Sequence, residues 1–353
     1  MSDTQKTILI IRTSALGDVA MAVPVIYALA RQYPRWRVLV LTRPFFTRIF
    51  RQRPPNISFV LADWQGKHRG LAGLARLAQE LARENIAAVA DLHNVPRSWM
   101  IDLFFYFRGI PVAMTDKGRL KRRALTSLKN KHASPQRPYI LRHADVLKRL
   151  HMPVRLESAL LPSPAETRKR PLPVDIPQDG KPLVGVAPFA RYPTKTYPPE
   201  LMEQTVTLLA AQGCHVFLFG AKGKEERTLK HWEARHPGCT ALPGRLEIEE
   251  ELELMGRLDA MVSMDSANMH LASLAGIPVV SVWGSTTPQC GFMGWQQKEA
   301  YAICLHLPCQ PCSISGRQEC PLRHFDCMRS ISPESVAKRV MHILSAAHRL
   351  RPE

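Results

Sequence analysis

Asp265, Ser266 and His270 bring a carboxylate, a hydroxyl and an imidazole together in the stretch Met264-Asp-Ser-Ala-Asn-Met-His270. Before it, residues 258–263 have the apolar content of a short buried strand. Behind it, residues 270–275 read as a helix that Gly276 is placed to end. The strand delivers Asp265 at its carboxyl end, the edge where open α/β sheets bind ligands. Ser266 is a good N-cap, and a helix start offers free N–H groups and positive potential that suit a phosphate. The plainer use of the same residues is that Asp265 and Ser266 cap the helix while His270 packs beneath it. Asp18 follows an apolar run and the turn Thr13-Ser-Ala-Leu-Gly17, and opens a helix towards Gln32. An acid there matches the helix dipole.

Cysteine suggests a separate chemistry. Four of the eight cysteines form Cys309-x2-Cys312-x7-Cys320-x6-Cys327. In a cytoplasmic chain such a group fits a structural zinc site better than disulfides, with free thiols packed in a loop as the alternative. The surrounding residues 289–328 lack periodicity, so a staple would help them.

The elements that must hold these residues alternate. Strands are expected at 8–12, 36–42, 57–61 and 87–91, with helices at 18–32 and 71–84. The fourth strand runs into His93, Asn94 and Arg97, on the same sheet edge as the loop before Asp18. Residues 162–182 hold six prolines and read as a linker. The alternation then resumes with a strand at 183–187, a loop carrying Lys195 and a helix at 199–212. A strand at 215–219 leads into a loop with Glu225 and Glu226. A buried strand at 277–283 ends in Gly284-Ser-Thr-Thr-Pro288, and Ser332 starts a final helix. The expected class is α/β. Its parts are an N-terminal Rossmann-like domain at 1–165, a linker at 166–182, a second Rossmann-like domain at 183–330 and a C-terminal helix at 331–353. The first turn has no Gly-x-Gly-x-x-Gly, which argues against an NAD-dependent oxidoreductase.

The net charge is +18. Residues 1–160 hold 27 Lys and Arg against 10 Asp and Glu, so nearly all the excess lies there. An anionic partner is implied for that half: nucleic acid, or a phosphorylated glycolipid at a membrane, unless the charge is only a solvated surface. The cluster Lys121, Arg122 and Arg123 is its densest part, and it lacks the interleaved aromatics of a single-strand binder. No apolar run approaches a membrane span, and residues 1–6 lead directly into a strand rather than a signal peptide, so a cytoplasmic protein is expected.

The block Asp265-Ser-Ala-x-x-His270, with Gly276-Ile-Pro-Val-Val280 and Gly284-Ser-Thr-x-Pro288 behind it, resembles the donor site of glycosyltransferase family 9, the bacterial ADP-heptose:lipopolysaccharide heptosyltransferases. Arg12-Thr-Ser-Ala-Leu-Gly-Asp18 is similar to the opening motif of the same family. The family usually has Gly where this chain has Ala267. The resemblance implies the glycosyltransferase-B architecture, two Rossmann-like domains facing a cleft, with inverting transfer of heptose from ADP-heptose or a similar nucleotide sugar to an inner-core lipopolysaccharide acceptor. It implies Asp18 as general base, Lys195 on the donor phosphates and Glu225, or else Glu226, on the nucleoside. Asp265, Ser266, Ala267 and His270 complete the donor site. His93, Asn94, Arg97, Lys121, Arg122 and Arg123 are the acceptor-side candidates. No Asp-x-Asp pair is present, so no cofactor is expected for catalysis, and zinc at the cysteines would be structural. The expected partner is an anionic glycolipid met at the inner membrane surface, with no nucleic acid. The rivals are a sugar-nucleotide epimerase on a similar fold and a non-enzymatic nucleic-acid-binding protein.

Overall fold

A computed structural model describes residues 5–129, 134–157 and 171–348 of the chain. The first half runs β1 (Thr7–Ile11), α1 (Leu16–Gln32), β2 (Arg37–Thr42), α2 (Pro44–Thr47), β3 (Ile57–Leu61) and α3 (Gly70–Leu81). It continues with β4 (Ile86–Asp91), α4 (Pro96–Tyr106), β5 (Val112–Met114), α5 (Arg119–Leu125) and α6 (Tyr139–Arg149). The second half runs β6 (Leu183–Ala187), α7 (Pro199–Ala211), β7 (His215–Leu218), α8 (Lys224–Arg235), β8 (Cys239–Ala241) and α9 (Ile248–Met255). It closes with β9 (Ala260–Met264), α10 (Ala267–Leu274), β10 (Val279–Val282), β11 (Ala302–Ile303), α11 (Asp326–Arg329) and α12 (Pro333–His348).

Both sheets are parallel. Their strand orders are β3-β2-β1-β4-β5 and β11-β10-β9-β6-β7-β8. Parallel strands covered by helices on both faces must be apolar throughout, and β1 and β9 are buried at every position. One core gathers Leu9, Leu39, Val89, Leu77 and Phe105. The other gathers Val184, Val216, Val262 and Val280 with Val336 and Val340 of α12. Each sheet has a switch point where the chain changes direction of winding, between β1 and β4 and between β6 and β9. Ile11 is level with Asp91, and Ala187 with Ser263. The loops carrying Asp18 and His93 therefore leave one sheet edge side by side. Those carrying Lys195 and Asp265 do the same in the other sheet.

The longer strands fall within two residues of their expected places. The strands without a sequence signal, β5, β8 and β11, are two or three residues long. The linker expected at 166–182 lies partly outside the described residues; its described part, 171–182, holds no helix or strand.

One expectation changes. The chain divides into two compact units, and Arg119–Gln136 belongs with the second, not the first. Arg122 stacks over Phe292 at 5.7 Å, Gln136 N–H donates to the Gln289 carbonyl, and Leu128 lines a cavity among the cysteines. The cluster Lys121, Arg122 and Arg123 thus sits on the second unit, not in the basic N-terminal one. Counted by unit, the first holds 21 basic and 10 acidic residues and the second 27 and 20, balances of +11 and +7. The first unit is still the more basic for its size, but the contrast is smaller than sequence position implied.

Candidate active site

In the first unit the loop after β1 is built around Arg12. This guanidinium is nearly buried, donates to the Leu92 carbonyl and pairs with the Asp18 carboxylate at 2.8 Å. Asp18 also accepts from the Ala15 N–H, closing the first turn of α1, and remains one-third exposed. It therefore caps a helix and presents a carboxylate to solvent at once.

The loop after β4 is fixed by Asp91. One carboxylate oxygen accepts from the His93 and Asn94 N–H groups at 2.7 and 2.8 Å, and the other accepts from Ser98 at 2.6 Å. Burial, then the neighbouring Asp91 carboxylate, raises the Asp102 carboxyl well above its usual range, so Asp102 can stay neutral. His93 is held between Thr13 Oγ1 and Ser14 Oγ, both at 3.1 Å. Burial, helped by Arg12 and Lys117, pushes its pKa down to about 3, so the ring is neutral at physiological pH. The Asn94 side chain is committed to the fold: its amide donates to the Thr115 carbonyl and accepts from the Trp99 indole, each at 2.7 Å. Arg97 is exposed and stacks over Trp64 at 4.6 Å. Sequence reasoning missed Asp91, which organises this loop, and His143 of α6. His143 is wholly buried close enough to Arg12 for that cation, after burial itself, to depress its pKa to about 3.

In the second unit Lys195 ends a single 3-10 turn after β6, and its ammonium lies 2.9 Å from the Asp265 carboxylate. Thr286 donates to the same oxygen at 2.7 Å. Both charged side chains are largely shielded, at 13% and 5% exposure. The Lys195 turn is bonded from two sides. Ser285 donates to Thr194 through N–H and hydroxyl at 3.0 and 2.9 Å, and Thr194 Oγ1 exchanges bonds with Arg317 of the cysteine loop. A methyl group on Gly284 would come within 2.7 Å of the Thr194 carbonyl, so only glycine allows this approach.

Ser266 stands at the N-cap of α10 as expected, but its hydroxyl lies 3.2 Å from Ser263 Oγ and makes no capping bond. The cap side chain thus takes up none of the N–H groups of the first helical turn. Ala267 is the first helical residue and needs no left-handed backbone, so a methyl is admitted there. His270 is buried on α10, as the plainer reading had it. Glu225 accepts from the Ala221 N–H at 2.7 Å and shapes the loop after β7. Glu226 accepts from the Gly223 N–H, the other half of a helix cap, and pairs with Lys230 at 2.8 Å. Glu226 is thus employed in closing α8.

Cys309, Cys312, Cys320 and Cys327 line one cavity of about 10 Å³ together with His324 and Phe325, and all are free thiols. Among the described residues, however, no group of three or more His, Cys, Asp or Glu side chains is arranged to hold a metal ion.

Each parallel sheet thus carries charged residues at its switch point, the place where open α/β sheets bind ligands. Lipooligosaccharide heptosyltransferase 2 of Campylobacter jejuni is 24% identical over 337 residues, spanning 92% of this chain and 95% of that one. A glycosyltransferase family 9 structure from Veillonella parvula superposes with a TM-score of 0.70 at 16% identity, covering 98% and 99% of the two chains. An E. coli heptosyltransferase solved with ADP-2-deoxy-2-fluoro heptose gives 0.65 at 18% identity, covering 95% and 99%. The fold is the glycosyltransferase-B type of these structures. Residues 74–323, well over half the chain and including Lys195 and Asp265, match the profile of glycosyltransferase family 9 (heptosyltransferase). The chain therefore belongs to glycosyltransferase family 9 and is a transferase.

Proposed function

We propose that this chain moves heptose from ADP-heptose to an inner-core lipopolysaccharide acceptor, with inversion at the anomeric carbon. The observation that carries the reading is the Lys195–Asp265 pair at the start of α10, inside the family-matched region. A shielded cation beside a helix start whose cap side chain leaves its N–H groups unbonded suits the charge that grows on a departing diphosphate. Asp18 lies before the matched region, so its role rests on its geometry: a carboxylate held by Arg12 and the Ala15 N–H, one-third open to solvent.

In the proposed step the acceptor hydroxyl gives its proton to Asp18 while its oxygen attacks the anomeric carbon. The bond from that carbon to the ADP oxygen breaks on the opposite face, and ADP leaves. Neutral His93 contributes hydrogen bonding to the Ser14 loop and no net charge. Glu225 is assigned to the nucleoside in preference to Glu226, whose carboxylate closes the helix. Among the described residues no helix is long and apolar enough to cross a membrane. The acceptor is a glycolipid, so the enzyme is assigned to the cytoplasm, peripheral to the inner membrane. The test is to incubate the chain with ADP-heptose and an inner-core acceptor, expecting ADP release matched by a gain of one heptose on the acceptor. ADP release without acceptor gain, or epimerised donor, would overturn the reading.

A structural zinc at Cys309, Cys312, Cys320 and Cys327 is also proposed. Four thiols lining one cavity of about 10 Å³ offer the donor type and the room for a single ion. Purified protein should carry about one equivalent of zinc, and chelation should loosen the second unit. A metal-free protein of full stability would sink the proposal and leave the transferase reading intact.

A further inference from the structure

Helix α4 buries Ser98, Ile101, Asp102 and Phe105, a stripe at i, i+3, i+4 and i+7. Its opposite side should be polar, and it is not. Trp99, Met100, Leu103, Tyr106 and the following Phe107 are exposed by 40, 44, 50, 66 and 77%. They fall at i, i+1, i+4, i+7 and i+8, one continuous stripe away from the core. A helix apolar on both sides but covered on one asks for a second, less aqueous medium.

We propose that this outer stripe of α4 seats the protein on an anionic lipid surface; this rests on the proposed transfer to a lipid-displayed acceptor and names the face that meets the lipid. The side-chain chemistry is that of an interface: tryptophan and tyrosine present a flat apolar body with one polar tip, the types that collect at headgroup level. Arg97 and Arg108 flank the stripe and are exposed, whereas the helix's one acid, Asp102, is buried. The unit that carries α4 has a balance of +11. That charge complements anionic headgroups and opposes a second copy of the same basic face. Placement adds a reason. α4 starts two residues after Asn94, in the loop whose His93 is bonded to Ser14, and at 1.5 Å per residue the helix is only ~16 Å long. Lipid against α4 therefore lies within a helix length of the loop beside Asp18.

The test is co-sedimentation of the full chain with vesicles of phosphatidylethanolamine containing phosphatidylglycerol, against neutral phosphatidylcholine vesicles, at low and high salt. The parent should bind the anionic vesicles, and less at high salt. Met100→Ser/Leu103→Ser/Phe107→Ser should lower the partition coefficient about tenfold or more. The melting temperature and transfer to a water-soluble, deacylated inner-core acceptor should stay unchanged. Arg108→Gln, which leaves the stripe whole, should weaken binding at low salt only. The proposal is overturned by a parent that ignores anionic vesicles, by a triple variant that binds them as the parent does, or by a dimer in solution that the triple variant dissociates. Failure of heptose transfer to the soluble acceptor in the parent would count against the function and not against the lipid contact.

Discussion

Asp18→Asn should lower the transfer rate by about 10²–10⁴-fold, the usual cost of losing a general base, with donor binding nearly unchanged. The substitution is chosen because Asp18 has structural duties. It closes the first turn of α1 through the Ala15 N–H and neutralises the nearly buried Arg12. An asparagine oxygen can still accept both bonds, so the loop stays built while the proton acceptor is lost. The measurement is kcat and donor KM, with the melting curve as control for the lost charge facing Arg12. A variant within a few-fold of the parent would leave Asp18 as a cap and an ion-pair partner. The His93 ring, neutral down to about 3, cannot supply a protonation step between pH 5 and 8, so an acid limb in that range would have to come from another group.

Lys195→Ala should affect both stability and binding, and the two effects can be separated. It leaves the Asp265 carboxylate, 5% exposed, with Thr286 as its remaining side-chain partner, and orphaning one member of a buried pair costs about 3–5 kcal/mol. It also removes the cation assigned to the diphosphate, where a charge-assisted hydrogen bond is worth about 1.5–3 kcal/mol, or roughly ten- to a hundredfold in ADP affinity. Lys195→Met/Asp265→Asn discards both charges, so it should recover much of the melting temperature while ADP stays weakly bound by calorimetry. Parent-like ADP affinity in that double variant would show that the pair is architectural and that the donor site lies elsewhere.

The sequence was most informative where a strand ends in a polar turn. β1, β3, β6 and β9 are apolar runs long enough to show themselves, and the turn behind each stands at a sheet edge by necessity of the winding. Asp18, Lys195 and Asp265 were therefore locatable from strand ends and motifs. Their partners were not. Thr286 and Asp265 are joined by the register of β9 with β10, and Arg12 and Leu92 by the register of β1 with β4; no local pattern encodes either pairing. Asn94 stood on the correct edge yet spends its amide on Thr115 and Trp99, which composition cannot reveal. The basic cluster at 121–123 was assigned by its position in the chain, whereas α5 is placed by contacts made with residues some 170 positions later.

That placement bears on how the protein is made. The ribosome delivers α5 before residues 137–160, which finish the first unit, and long before Gln289 and Phe292, on which its segment rests. At a synthesis rate of about 5–20 residues per second, α5 waits roughly ten to thirty seconds for those partners. During that interval its hydrophobic residues, Leu125 among them, have no finished core to enter. A fragment ending near residue 160 would keep this segment permanently without its support, and a fragment beginning near 171 would lack it altogether. The two units are thus interleaved along the chain, and separating them cleanly requires moving residues 119–136, not making a single cut in the proline-rich stretch.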